Sequence, residues 1–177
     1  MNKIKKNGFT LIELIIYASV FIVISIILTT FIMNLIKVQT KSRIKKHVLD
    51  NSQRAMEIMT WEIKHAQAIY NSTNVDGSHP GQLSLRTQYN LPDNEETTYI
   101  DFYLDDNEHI CFKRENTEGM LLTSEDIKIN NLVFNFITAG DTQSVQINLT
   151  AIYDNTSAKT AYNATTTLTS SAVLRNE

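Results

Sequence analysis

Three patterns of apolar and polar positions follow one another along the chain. From Leu14 to Ile36 the sequence is a predominantly apolar run, without a single Lys, Arg, Asp, Glu, Gly or Pro. These 23 positions predict a helix about 35 Å long, enough to cross a hydrocarbon core of about 30 Å with some tilt. From Lys37 to about Tyr70 there is still no Gly or Pro. Here the apolar positions thin to a stripe at Ile44, Val48, Ala55, Met59, Ile63, Ala66 and Ile69 or Tyr70, spaced by three, four and seven. That period predicts an amphipathic helix continuing the span, with Lys41, Arg43, Asp50, Arg54, Glu57 and Lys64 on its wet faces.

The third pattern begins after Asn71–Gly81, a run of turn-forming Asn, Asp, Ser, Gly and Pro. Alternation then predicts strands. Gln82–Tyr89 comes first, followed by a hairpin of Thr98–Leu104 and Ile110–Lys113 closed by Asp105-Asp106-Asn107-Glu108. Longer strands follow at Ile127–Thr138, Val145–Tyr153 and Ala164–Leu174. In Val145–Tyr153, Val145, Ile147, Leu149 and Ala151 alternate with Gln146, Asn148 and Thr150, giving one buried face and one wet face. A helix stripe and a sheet face each need a cover, and each supplies the other's. The expected fold class is therefore α+β: a long N-terminal helix whose second half packs on an antiparallel β-sheet head.

Composition narrows this picture only slightly. The 177 residues have room for one long helix and one modest domain. A net charge of −3 with 20% charged residues gives no global sign of nucleic-acid binding. The one cysteine, Cys111, has no partner for an intramolecular disulfide, so packing alone must hold the head.

The junction ahead of the span is the most informative stretch. A basic leader with Lys3, Lys5 and Lys6 meets Gly8, and the apolar run starts at once with Phe9. An ordinary secretory signal places its apolar region before the cleavage site, whereas a cut after Gly8 would keep the apolar segment in the product. Glu13 is the second anomaly. An acid in a spanning helix is costly, up to roughly 2.5–3.5 kcal/mol at the bilayer centre, and needs a partner. A new amine on Phe9 is a cation that would neutralise it, within one helix or between staggered neighbours.

At Gly8-Phe9-Thr10-Leu11-Ile12-Glu13 and the apolar run behind it, the chain resembles the type IV prepilin family of pilins, pseudopilins and competence pilins. The resemblance covers about the first fifth of the chain. It implies cleavage between Gly8 and Phe9 by a membrane prepilin peptidase, N-methylation of Phe9, and pairing of Glu13 with the N-terminus of a neighbouring subunit. It also implies a cytoplasmic leader, a single membrane pass and an extracytoplasmic head within an envelope filament. The charges near the span oppose this topology, since Lys37, Lys41, Arg43, Lys45 and Lys46 outnumber the leader's lysines. The implied cytoplasmic peptidase overrides that count. Residues 1–8 are then a leader, 9–36 a transmembrane and polymerisation half-helix, 37–70 an amphipathic half-helix and 71–177 the β-rich head. The β head, the missing disulfide and the ending Leu168–Asn176 are most similar to J-type minor pseudopilins and related minor pilins. The membrane half lacks the proline that many major pilins carry there and holds Thr29, Thr30 and Asn34 instead.

Other candidate chemistry reads as structural. The acidic runs Asp93-Asn94-Glu95-Glu96 and Asp105-Asp106-Asn107-Glu108 offer oxygens of the kind calcium takes, yet match no defined loop and read as solvated turns. His47, His65, His79 and His109 are scattered, and no nucleophile, phosphate-binding or dinucleotide motif occurs, so neither a metal, a cofactor nor an enzymatic role is expected. The sequons at Asn71, Asn148, Asn155 and Asn163 are expected by chance in so Asn- and Thr-rich a chain. Lys41, Arg43, Lys45, Lys46 and His47 form a basic patch suited to lipid headgroups; contact with DNA or a secreted substrate has no support of its own. The expected function is that of a minor pilin or pseudopilin, with the peptidase, other pilins and lipid as partners. The alternative is a single-span membrane-anchored binding module that never polymerises.

Overall fold

One α-helix, α1, runs unbroken from Leu11 to His65, through Thr29, Thr30 and Asn34. The structure is a computed structural model that describes residues 10–91, 95–140, 142–154 and 163–175. The chain divides into two compact units, residues 1–40 and 41–177.

In the first unit α1 presents apolar side chains on every side. Leu11, Ile16, Phe21, Ile27, Phe31 and Ile36 are all more than half exposed, so no face of this segment is covered by the other described residues. The mean hydropathy of its most apolar stretch is 2.8, and α1 is long and apolar enough to cross a membrane. Several hydroxyls here bond back within the helix. Ser19 donates to the carbonyl of Ile16 at 2.8 Å, Thr29 to Ser25 at 2.8 Å and Thr30 to Ile26 at 2.9 Å. A hydroxyl bonded back to the preceding turn brings little polar penalty into hydrocarbon, where every polar group needs an internal partner.

In the second unit the rest of α1 packs against two antiparallel sheets. The first has five strands in sequence order: β1 (Ala66–Ile69), β2 (Leu83–Thr87), β3 (Thr98–Leu104), β4 (Ile110–Arg114) and β5 (Met120–Leu121). The second has three: β6 (Ile127–Ala139), β7 (Thr142–Tyr153) and β8 (Thr165–Val173). The single sheet read from the sequence is thus two, and both contribute to one core with the helix. Ile44, Val48, Ala55, Met59 and Ile63 are buried from α1, and Val145, Ile147, Leu149 and Ala151 from β7, as the two periodicities predict. Phe102 of β3 and Phe134 of β6 are the largest fully buried side chains.

The expected helix to Tyr70 stops at His65 instead. Ala66, Ala68 and Ile69 pair with Thr87, Arg86 and Leu85 of β2, and the Thr87 hydroxyl donates to the His65 carbonyl at 3.3 Å. No Gly or Pro marks this change. The last turn of the amphipathic pattern suits either state, and the open edge of β2 decides for strand by offering ladder bonds.

The turn-rich segment 71–82 is not loose. It lies along the outer edge of β6, with Gly77 N–H donating to Phe134 O at 2.8 Å and Gly81 N–H to Leu132 O at 2.9 Å. The Leu132 N–H returns a bond to His79 Nδ1 at 3.0 Å, and that of Phe136 to Asp76 Oδ1 at 3.0 Å. A Cβ on Gly81 would sit 2.8 Å from Leu132 O and 3.0 Å from the Phe134 ring. Because a backbone oxygen cannot swing aside, Gly81→Ala is expected to lower head stability by about 1–3 kcal/mol, measured by denaturant unfolding. Unfolding midpoints that coincide with wild type would show that this strap is not held tightly.

Candidate assembly site

Thr10 and Glu13 form a reciprocal cap at the start of α1. The Thr10 hydroxyl oxygen accepts the Glu13 N–H at 3.3 Å, while Glu13 Oε2 accepts the Thr10 N–H at 3.0 Å and the Thr10 O–H at 2.8 Å. Thr10 O accepts the first helical bond, from Leu14 N–H at 3.2 Å. This is a capping box, in which N-cap and third-position side chains satisfy two of the four amides a helix start leaves without partners. The position also suits an acid electrostatically, since the helix dipole is positive here. Glu13 therefore has a role within its own chain, which the reading of Glu13 as an acid awaiting a neighbour's amine did not include. The signal was present, because Thr-x-x-Glu ahead of an apolar run is the sequence signature of such a box.

The cap leaves capacity for a second partner. A carboxylate offers about four acceptor sites. Only Oε2 is engaged among the described residues, so an incoming amine can bind Oε1 without undoing the cap. Gly8 and Phe9, the expected cleavage and methylation positions, lie outside the described residues. No family model, curated protein or solved structure matches the chain.

Several of the other polar residues singled out from the sequence have structural partners. His47 Nε2 lies 3.1 Å from Asp126 Oδ2, and Asn51 Oδ1 accepts from both the amide and the hydroxyl of Ser124. These contacts tie α1 to the segment entering β6. In the turn between β3 and β4, Asp105 Oδ1 accepts the amides of Asn107 and His109, and Oδ2 pairs with His109 Nδ1 at 3.2 Å. Its oxygens thus hold the turn together. Of the other acidic run, Asp93 and Asn94 lie outside the described residues, and Glu95 accepts from Asn116. Among the described residues no three His, Cys, Asp or Glu side chains are grouped to hold a metal ion. Cys111 is buried in β4, and burial pushes its thiol up, away from the reactive thiolate.

One pair escaped the sequence reading. Glu62 of α1 is buried, and its Oε1 accepts from Arg114 Nη2 at 3.2 Å. The stripe itself places it: 62 is seven residues after Ala55, three after Met59 and four before Ala66. An acid on an apolar stripe signals a buried charge with a cation opposite.

Proposed function

We propose that the protein is a minor pilin or pseudopilin, a non-enzymatic subunit anchored by α1 and assembled with similar chains into an envelope filament. The observation that carries this reading is the Gly8–Glu13 sequence pattern beside a helix, beginning at Leu11, whose apolar surface the other described residues leave uncovered on every side. In a filament, neighbouring helices would cover that surface. An N-terminal amine created by cleavage at Gly8–Phe9 would meet the Glu13 carboxylate of a neighbour and set the axial register. The head, held by packing and two sheets, is then free to differ from the heads of its partners. Peptidase, lipid and other subunits bearing the same N-terminal pattern are the partners this reading requires.

The test is the N-terminal sequence and intact mass of the protein isolated from membranes of its host. The expected product begins at N-methylated Phe9. Recovery of chains still beginning at Met1, in cells whose prepilin peptidase is active, would overturn the reading and leave a single-span module whose head binds a ligand.

A further inference from the structure

Where α1 ends, three rings from two parts of the chain form an exposed cluster. Trp61 and His65 lie one turn apart on α1 with their rings stacked at 4.2 Å, and the Tyr89 ring meets Trp61 edge-on at 5.0 Å. Trp61 is 40% exposed and Tyr89 46%. Bonds from beneath hold the group in place. Thr87 is fully buried, and its hydroxyl donates to His65 O at 3.3 Å and accepts the Tyr89 N–H at 3.1 Å. Arg114 Nη1 donates to Tyr89 O at 2.7 Å, and His65 Nδ1 to Trp61 O at 2.8 Å.

Beside the cluster lies a surface hollow of about 320 Å³, lined by Lys64, His65, Gln67, Gln88, Tyr89 and Arg175. Small-ligand sites begin at about this size, roughly 300 Å³. Its charge is one-sided. Two cations line it and no carboxylate does, while Glu62, two residues before Lys64, is buried and paired with Arg114. Among the described residues Lys64 and Arg175 form no ion pair, and the side-chain amides of Gln67 and Gln88 bond nothing. Gln67 is the residue at which β1 bulges: Ala66 pairs with Thr87 and Ala68 with Arg86, leaving Gln67 between them without a partner. A bulge re-aims the side chain it carries, and this one lines the hollow. Because the Trp61 carbonyl can only accept, the His65 proton sits on Nδ1, and Nε2 of the neutral ring is left as an acceptor.

We propose that this hollow binds a short segment of an acidic carbohydrate, a sugar ring bearing a carboxylate. Each part of the site selects one part of that ligand. The unpaired cations ask for an anion, and the planar fork of Arg175 matches a carboxylate in two parallel bonds. Gln67 and Gln88 each offer donor and acceptor from one group, and His65 Nε2 adds an acceptor, which is what hydroxyls need because they also do both. The exposed Tyr89 ring gives the apolar face of a sugar ring a surface to pack on. Single-stranded nucleic acid fits less well. It needs open ring faces for its bases and a row of cations for its backbone, whereas His65 already covers one face of Trp61 and only two cations are present. The site is built before the ligand arrives, since Thr87 and Arg114 fix the cluster, so little ordering opposes binding. The inference does not rest on the filament reading, because every residue of the hollow belongs to the second unit.

The test uses the full chain in detergent micelles and its own reporter, since Trp61 is the one tryptophan in the sequence. The probes are trigalacturonate and its methyl ester, which keeps the rings and hydroxyls and loses the charge. Trigalacturonate should change the Trp61 emission saturably and release or absorb heat in calorimetry, with a dissociation constant at or below about 1 mM. The methyl ester should bind about tenfold more weakly, because it cannot make the charge-assisted bonds. Arg175→Gln should weaken trigalacturonate about tenfold, leave the methyl ester as it was and melt like wild type, since Arg175 is exposed and unpaired. Gln67→Ala and Gln88→Ala should weaken both probes. Neither heat nor an emission change at about 10 mM trigalacturonate, in protein that melts normally, would overturn the proposal. So would equal binding of the two probes, or an Arg175→Gln variant that binds both as wild type does. A single-stranded thymidine hexanucleotide that binds more tightly than trigalacturonate would overturn it in favour of nucleic acid.

Discussion

Arg114→Ala should lower the melting temperature of the head by about 10 °C. Removing one partner of a buried pair costs about 3–5 kcal/mol, and the lower figure applies because the Arg114 side chain keeps 16% of its surface exposed. For a chain of this size each kcal/mol is worth about 2–4 °C. The loss has three parts. Glu62 would keep a buried carboxylate whose Oε2 already lacks a partner among the described residues. The carbonyls of Tyr89 and Asn90, which accept from Arg114 Nη1 at 2.7 and 3.4 Å, would lose their donor. The guanidinium packed 5.8 Å from the centroid of the Phe112 ring would also go. Arg114→Lys should recover only part of the loss, because a point charge cannot reach both Glu62 and the two carbonyls. Replacing both charges, as Glu62→Met with Arg114→Leu, should be milder than Arg114→Ala alone. A melting temperature for Arg114→Ala within about 2 °C of wild type would show that solvent reaches the pair freely.

The same pair sets a pH dependence. Burial holds the Glu62 carboxyl above its ordinary value even though Arg114 and His65 pull it down. The folded chain thus holds that proton more tightly than the unfolded chain. The resulting stabilisation is complete below the ordinary carboxylate value and is lost as pH rises through the raised one. Asp105 behaves oppositely. Burial pushes it up, but the hydrogen bonds from His109 and Asn107 outweigh this and hold it low. Its contribution is present above the ordinary value and is lost as pH falls through the lowered one. Wild type should therefore lose stability relative to Glu62→Gln as pH rises from the carboxylate range, while its advantage over Asp105→Asn should fade in acid.

Glu13→Gln should reduce incorporation into filaments by about tenfold while leaving the helix start intact. Gln can serve at the third position of a capping box, so Thr10 keeps its partner. Only the charge is lost. A hydrogen bond between ions contributes about twice what a neutral one does, a difference of about 1–2 kcal/mol or roughly tenfold in an equilibrium. Glu13→Ala removes cap and charge together and should assemble no better than Glu13→Gln. The measurement is the share of protein recovered in sheared or sedimented filaments, against total membrane protein. If Glu13→Gln assembles as wild type and Glu13→Ala does not, the residue serves its own helix and the pairing with a neighbour's amine is wrong. Equal assembly of all three would remove Glu13 from the mechanism.

The sequence by itself determined the elements whose periods are long and undisturbed. Leu14–Ile36 reads as a helix whose apolar surface needs cover on every side, because an almost wholly apolar segment has no wet face to turn to solvent, and the other described residues leave it uncovered. The stripe from Ile44 to Ile63 and the alternation of Val145–Ala151 likewise fixed both faces of the core, since burial follows from spacing alone. Tertiary structure decided what depends on residues far apart in the chain. Ala66–Ile69 became a strand because β2 had an edge to fill, and segment 71–82 became a strap because β6 had one. Glu62 found Arg114, 52 residues away, and His47 found Asp126, 79 residues away. No local pattern encodes such partners, because pairing energy belongs to two positions at once.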